Sequence, residues 1–360
     1  MPRASPLPPD AGTLERVQED WSLYRQLGAV REGPDGLVEH WASSFDWHRR
    51  RLAPDGSRID PAAVRRFWGR RLFISDDPTL DLRARWRDLV DGERRLTRRL
   101  LRECLEVLEG RGYAPLLRRY PCPTVGGPVA FQQAGYRYTH RWFRHVYLLG
   151  LFNEVLGGRV APGFVSLDIG CGYGLFQSLL HREHPRSRHV LVDLPEQLVL
   201  ARYFLECSHP SARIAGPREL AGEKPISRQL LEDHDFVLLA PAFYERLAPG
   251  SVDLVTSFSS LGELRRSFFD YYVDAPVFRR ARHLFTVNPV APTPSFFPDA
   301  EVDLLDYPIL GGKERLHFAV SPAFRYEYNP VKRRRWLSWE LRGLPPYFEY
   351  VGGIRAGRGS

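Results

Sequence analysis

The chain has 360 residues, of which 43% are hydrophobic and 26% charged, and a formal net charge of +8 at pH 7 with a pI near 9.4. These values suit a soluble globular protein with one main core and an accessory region, and they exclude an intrinsically disordered chain. No apolar run approaches the roughly 18 residues of a membrane-spanning helix, and the start lacks the apolar stretch of a signal peptide, so a cytoplasmic location is expected.

The opening MPRASPLPPDAG is proline-rich and reads as a disordered tail over 1–12. Residues 13–135 are expected to form an N-terminal helical region. LERVQEDWSLYRQLGAV places Leu14, Val17, Trp21 and Tyr24 near one side of a helix. PAAVRRFWGRRLF begins with Pro61 after Asp60, a cap followed by a first-turn proline. RWRDLVDGERRLTRRLLRECLEVLEG is a long amphipathic run closed by Gly110. RRYPCPTVGGPVAF then breaks the pattern and marks a boundary around 119–135. YRYTHRWFRHVYLLGLFNEVLG predicts the next helix, with Tyr138, Trp142, Val146, Leu149 and Leu156 as its buried stripe. His140, Arg144 and Tyr147 fall on a different side, where they can face a cavity.

From 161 onward strands and helices alternate. FVSLDIG, HVLVDLP, DFVLLAP, VDLVTSFSS and HLFTVNP read as strands. GLFQSLLHREH, PEQLVLARYFLECS and LRRSFFDYYVDAPVFRRA read as helices, and KERLHFAVSPAFRYEY as the source of the last strands. RIAG near 213 competes with DFVLLAP for third place in the sheet. The expectation is an α/β fold, a doubly wound, mostly parallel, Rossmann-like sheet over 136–360.

In such a sheet the first strand-to-helix turn lies at the carboxyl edge, where ligands bind. Here it reads SLDIGCGYG, with Asp168, Gly170, Gly172 and Gly174 in the spacing DxGxGxG. Glycines at such a turn let the backbone turn tightly and approach a ligand closely. The dinucleotide fingerprint would need glycine at 175, which is Leu175, and the loop has no lysine for a triphosphate. Asp193 ends the next strand, and its carboxylate suits both hydroxyls of a bare ribose.

The loop resembles motif I of class I S-adenosylmethionine-dependent methyltransferases. The resemblance implies that Gly170, Cys171, Gly172, Tyr173 and Gly174 lie against the cofactor and that Asp168 meets its amino-acid portion. LDIGCGYG, VLVDLPEQLVLARYFLE, SVDLVTSFSSLGEL and LFTVNP together are similar to the sugar O-methyltransferase family of bacterial natural-product pathways, over about 120–330. Asp193 and Leu194 match that family's D-L-P-E segment, and Ser259, Ser260 and Glu263 its serine-and-glutamate motif. Asp168 stands where that family commonly has glutamate, and Leu264 where it commonly has methionine. The resemblance implies O-methylation of a sugar or glycosylated secondary metabolite.

A sugar hydroxyl needs a base to take its proton. Glu263, after the fourth strand, is the first candidate, against a carboxylate that merely favours a helix N-terminus. His140 is the second, against a packing histidine. Tyr173 either shapes the methyl site or packs. The series Phe131, Tyr136, Tyr138, Trp142 and Tyr147 either stacks on a sugar or belongs to the core. Cys171 reads as a small side chain that fits rather than a nucleophile.

No metal is expected: Asp270 and Asp274 share a helix face without evident partner ligands, and Cys104, Cys122, Cys171 and Cys207 lie apart without CxxC spacing. The positive charge is scattered in pairs, with Lys332-Arg333-Arg334-Arg335 as the one compact cluster, and reads as a solvated face rather than a nucleic-acid footprint. A nucleic-acid methyltransferase is the rival enzyme, but SFSSLGE replaces the base-modifying N/D-P-P-Y/F motif. A non-methylating scaffold or cyclase is the rival outside that class. The N-terminal helices either cover the cofactor site or mediate a homodimer.

Overall fold

The computed structural model describes residues 11–27, 50–67, 92–128, 130–222, 225–292, 300–308, 313–324, 333–335, 338–340 and 345–354. Helix α1 (Ala11–Gln26) starts inside the stretch read as a tail and buries Val17, Trp21 and Tyr24 on one face. Helix α2 (Pro61–Arg65) is capped by Asp60, whose side chain accepts the Ala62 N–H. It ends earlier than expected, in a turn at Arg66 and Phe67, and the remainder of that segment lies outside the described residues. Helix α3 (Gly92–Gly110) ends at the expected glycine and is followed by α4 (Ala114–Arg119).

The expected helix from 136 is corrected at its start. Strands β1 (Phe131–Gln133) and β2 (Tyr136–Tyr138) form an antiparallel hairpin. Its two turn residues, Ala134 (φ 50°) and Gly135 (φ 81°), are both left-handed, the backbone of a two-residue turn that matches strand twist. Thr139 then caps helix α5 (His140–Val155) by accepting the Trp142 N–H at 3.0 Å. Tyr138 is buried from the strand, whereas Trp142, Val146 and Leu149 are buried from the helix and Leu156 just past its end.

The main unit comprises β3 (Val165–Ile169), α6 (Leu175–Glu183), β4 (Arg188–Val192), α7 (Pro195–Ser208), β5 (Ile214–Ala215), α8 (Pro217–Leu220), α9 (Arg228–Glu232), β6 (Phe236–Leu239) and β7 (Leu254–Phe258). It continues through α10 (Arg266–Val273), α11 (Pro276–Arg280), β8 (His283–Pro289), β9 (Lys313–Val320) and β12 (Tyr347–Ile354), with the small hairpin β10 (Arg333–Arg335) and β11 (Ser338–Glu340) between the last two. The large sheet has eight strands in the order β5-β6-β4-β3-β7-β8-β12-β9. Only β12 runs against the rest, antiparallel to both β8 and β9. This is the expected doubly wound, mostly parallel, Rossmann-like sheet. Third place goes to β6, beside β4, and the RIAG stretch adds the two-residue edge strand β5. The chain winds outward from β3 to one side and returns to β7 on the other, so the topological switch lies between β3 and β7.

One further reading is corrected, and one strand was not anticipated. The single helix expected over LRRSFFDYYVDAPVFRRA is two, because Pro276 forces Ala275 into an extended conformation and opens a new helix. The segment Tyr347–Ile354 supplies a central strand, and Gly352 makes room for the Tyr350 phenol beside a bulge at Val351/Gly352.

One core joins the sheet to α1, α5, α6 and α7. A second fills the opposite face, beneath α10 and α11. Helix α1 is fastened along α7 by a buried Asp20–Arg202 pair and by Arg16–Glu206 at 2.7 Å, and to β6 by the Tyr24 hydroxyl, which donates to Leu238 O at 3.0 Å. Among the described residues no helix is long and apolar enough to cross a membrane.

Candidate functional site

The turn after β3 is left-handed at all three glycines, with φ of 77°, 56° and 77° at Gly170, Gly172 and Gly174. Each has its own reason. A Cβ at Gly170 would strike the Ser260 side chain, and one at Gly174 would meet Leu191 at 2.7 Å. A Cβ at Gly172 would meet nothing within 4 Å, so this residue borders open space. The loop is seated on the end of β4, where Gly170 N–H donates to Val192 O at 2.9 Å.

Asp193 binds the loop directly. Its Oδ2 accepts the Gly172 N–H at 2.7 Å, and its Oδ1 accepts the N–H of Leu194, the residue before α7, at 2.7 Å. Each oxygen keeps a second lone pair, and Asp193 retains some exposed surface. Asp168 is buried in β3, where Thr256 Oγ1 on β7 donates to its Oδ1 at 2.6 Å. Burial pushes both carboxyls up to about 7; Thr256 and Gln177 partly offset this at Asp168, and the two backbone N–H groups do so at Asp193. Two neighbouring acids raised by desolvation favour a cationic ligand, whose charge would relieve both.

The loop after β7 meets this turn from the other side of the switch. Ser259 is left-handed (φ 52°), rare for a residue with a Cβ, and its N–H donates to Val287 O at 2.9 Å. Asn288, one residue from the end of β8, holds the loop in place. Its Oδ1 accepts from Ser260 N at 3.0 Å and Gly262 N at 3.1 Å, while its Nδ2 donates to Ser257 O and Thr286 Oγ1. The sequence reading passed over Asn288, although a lone amide near the carboxyl end of the apolar run HLFTVNP is a recognisable signal.

Tyr173 packs. Its ring meets Phe67 edge-on at 4.7 Å and Phe204 at 6.0 Å, and the Arg141 guanidinium lies 5.6 Å from its centre. Phe67, two residues past α2, and the start of α5 therefore both lie against the glycine loop. Cys171 is buried, and burial pushes its thiol well above the ordinary range, which suits a packed side chain better than a nucleophile. Of the aromatic series, Tyr138, Trp142 and Tyr147 are core residues, and Tyr136 lies under Arg118. The side chain of Phe131 lies outside the described residues.

The two candidate bases stand apart. Glu263 is buried at the end of a single 3₁₀ turn, Leu261–Glu263, beside Tyr307 and against the core beneath α10. His140 opens α5 on the opposite face of the sheet. Burial, followed by Arg144 and Arg141, lowers it to about 3, so its imidazole is neutral, and its Nε2 has no hydrogen-bond partner. Asp270 and Asp274 are paired with Arg266 and Arg279. No group of three His, Cys, Asp or Glu stands in metal-holding reach among the described residues.

No known family profile matches the chain. Solved structures with a similar fold include magnesium protoporphyrin IX methyltransferase from Synechocystis with bound S-adenosylmethionine, at 13% identity and TM-score 0.36 over 58% of this chain and 79% of that one. Another is geranyl diphosphate C-methyltransferase from Streptomyces coelicolor, at 13% identity and TM-score 0.37 over 57% and 75%. A third is mitomycin 7-O-methyltransferase, at 12% identity and TM-score 0.30 over 59% and 57%. Identities and scores this low assign no activity to this chain.

Proposed function

We propose that this protein is an S-adenosylmethionine-dependent O-methyltransferase acting on a hydroxyl of a sugar or glycosylated secondary metabolite. One observation carries the reading: a left-handed glycine turn with open space at Gly172 stands at the switch point between two acids, the buried Asp168 and the partly exposed Asp193. The geometry suits a cationic cofactor without phosphates. Its backbone edge has no lysine, and its acids are raised by burial. When bound, the cofactor supplies a methyl group activated on a sulfonium.

The protein's part is to align the acceptor and remove its proton. Asp193 would hold the ribose with its remaining lone pairs, Asp168 would face the amino-acid end, and Ser259 and Leu194 would border the adenosine. The N-terminal helices and the start of α5 would cover the site, a role supported by Phe67 and Arg141 on Tyr173. Glu263 is the proposed base, with His140 as the alternative. Its neutral, unpartnered Nε2 can accept a proton, although its low basicity makes it the weaker of the two. The sugar rests on the sequence resemblance.

The test is incubation with labelled cofactor and a panel of glycosides, nucleotide sugars and RNA. Label on a glycoside or nucleotide sugar is expected. Label on RNA alone would overturn the reading, and cofactor binding without any transfer would favour a non-methylating role.

A further inference from the structure

Strand β12 directs Tyr347, Glu349 and Val351 toward α5, into the core that α5 shares with the sheet. Its register sets Glu349 opposite Val287 of β8 and Ala319 of β9. Glu349 thus lies one residue from the level of Asn288, which clamps the loop after β7. It is fully buried, and its Oε2 accepts the Tyr147 hydroxyl at 3.2 Å and lies 3.1 Å from His317 Nε2. Its Oε1 has no partner.

Two more buried polar atoms on neighbouring segments are also unpartnered. Ser321, just past β9, donates its N–H to Tyr347 O at 2.7 Å while its Oγ bonds to nothing. His140 Nε2 is the third. The three are linked through packing: Arg144, one turn beyond His140, lies over the Phe324 ring at 4.9 Å, and Phe324 stacks on Tyr347 at 5.6 Å. Folded proteins leave few buried polar atoms unpaired, and each exception calls for a cause. Three from separate segments, beside the carboxyl edge of the sheet, point to a shared ligand.

Their chemistry defines it. A carboxylate oxygen accepts, a hydroxyl both donates and accepts, and a neutral imidazole nitrogen does one or the other. The stacked Phe324 and Tyr347 add an apolar flank. We propose that Glu349, Ser321 and His140 form a binding subsite for a neutral ring carrying two or more hydroxyls, with Glu349 Oε1 accepting from one of them. Ser321 and Phe324 lie just past β9 in an irregular stretch rather than a strand, so the sheet's hydrogen bonds do not fix this side of the subsite. The subsite's role as the acceptor-binding wall rests on the methyl-transfer reading; the binding itself does not.

The experiment is a thermal-shift titration of the full chain with a panel of methyl glycosides, for wild type, Glu349→Gln and Ser321→Ala, alongside calorimetry with S-adenosylmethionine alone. At least one glycoside is expected to raise the wild-type melting temperature. Its apparent Kd should weaken about 10- to 100-fold in Glu349→Gln and about 3- to 10-fold in Ser321→Ala. Without ligand, both variants should melt within a few degrees of wild type, since the amide oxygen left by Glu349→Gln can still accept from Tyr147 and Ser321→Ala removes a hydroxyl that bonds to nothing. The proposal is overturned if no glycoside shifts the wild type, or if Glu349→Gln fails to fold or melts several degrees lower, which would make Glu349 a structural partner of His317. Glycoside binding without cofactor binding would defeat the methyl-transfer reading and leave the subsite standing.

Discussion

Asp193 spends one lone pair of each oxygen on the backbone of Gly172 and Leu194, so a single carboxylate both shapes the glycine loop and faces the space beside it. Its pKa of about 7, matched at Asp168, has a measurable consequence. A cationic ligand stabilises the ionised carboxylates, which predominate only above that value, so binding below it must release protons. Cofactor affinity should therefore rise as pH increases from about 5 toward 8, and calorimetric heats near pH 6.5 should vary with the ionisation heat of the buffer. Affinity that stays flat across this range would separate these acids from the cofactor. At the proposed base, Glu263→Gln should lower turnover about 10²–10⁴-fold while leaving cofactor affinity nearly unchanged. If turnover persists, His140 is the next residue to replace. The glycines, Asp168 and Asp193 were legible because backbone geometry and charge leave a local mark in sequence. Asn288 left a mark that was passed over, a lone amide in an apolar run, whereas Glu349 was not legible, because its role arises only when α5, β9 and β12 come together.

Strands made of apolar runs and helices opened by Asp60 or Pro195 could be read directly, since caps and burial patterns are local. The misreadings have physical causes. Tyr136 and Tyr138 fit a helical stripe as well as a strand, and only the left-handed Ala134-Gly135 turn decides between them. The helical pattern of 264–281 hid the break at Pro276, and the glycines of YFEYVGGI masked a strand buried between two neighbours. The docking of α1 on α7 was equally invisible, because Asp20 and Arg202 lie far apart in the chain. Both are buried, and burial holds Asp20 up to about 6 despite the guanidinium. Removing Asp20 leaves the buried Arg202 with Glu206 as its one acidic partner, at 3.1 Å: Asp20→Ala should destabilise the fold by about 1–3 kcal/mol in denaturant titration. The paired replacement Asp20→Leu with Arg202→Met should recover most of that loss. A single variant as stable as wild type would show that the pair does not fasten α1.

At the scale of the molecule, burial sets an opposing balance of titrations among the described residues. It lowers His140, His145, His181, His184, His189 and His209, and raises Asp20, Asp168 and Asp193. Each lowered histidine binds fewer protons folded than unfolded below about 6.5, and each raised aspartate binds more, so the six histidines outweigh the three acids. Stability should fall as pH drops from about 6.5 toward 4, seen as a lower melting temperature at pH 5 than at pH 7.5; the reverse order would contradict these burials. The same layering places Phe67, just past α2, and Arg141 at the start of α5 on Tyr173 of the glycine loop. The claim on which the rest depends is that S-adenosylmethionine occupies the carboxyl edge of the sheet against Gly172 and Asp193. Titrating the cofactor calorimetrically into wild type and Asp193→Asn tests it most directly. The account predicts saturable binding to wild type and a loss of about 1–3 kcal/mol in the folded variant; no binding to wild type, or equal affinity in both, would contradict it.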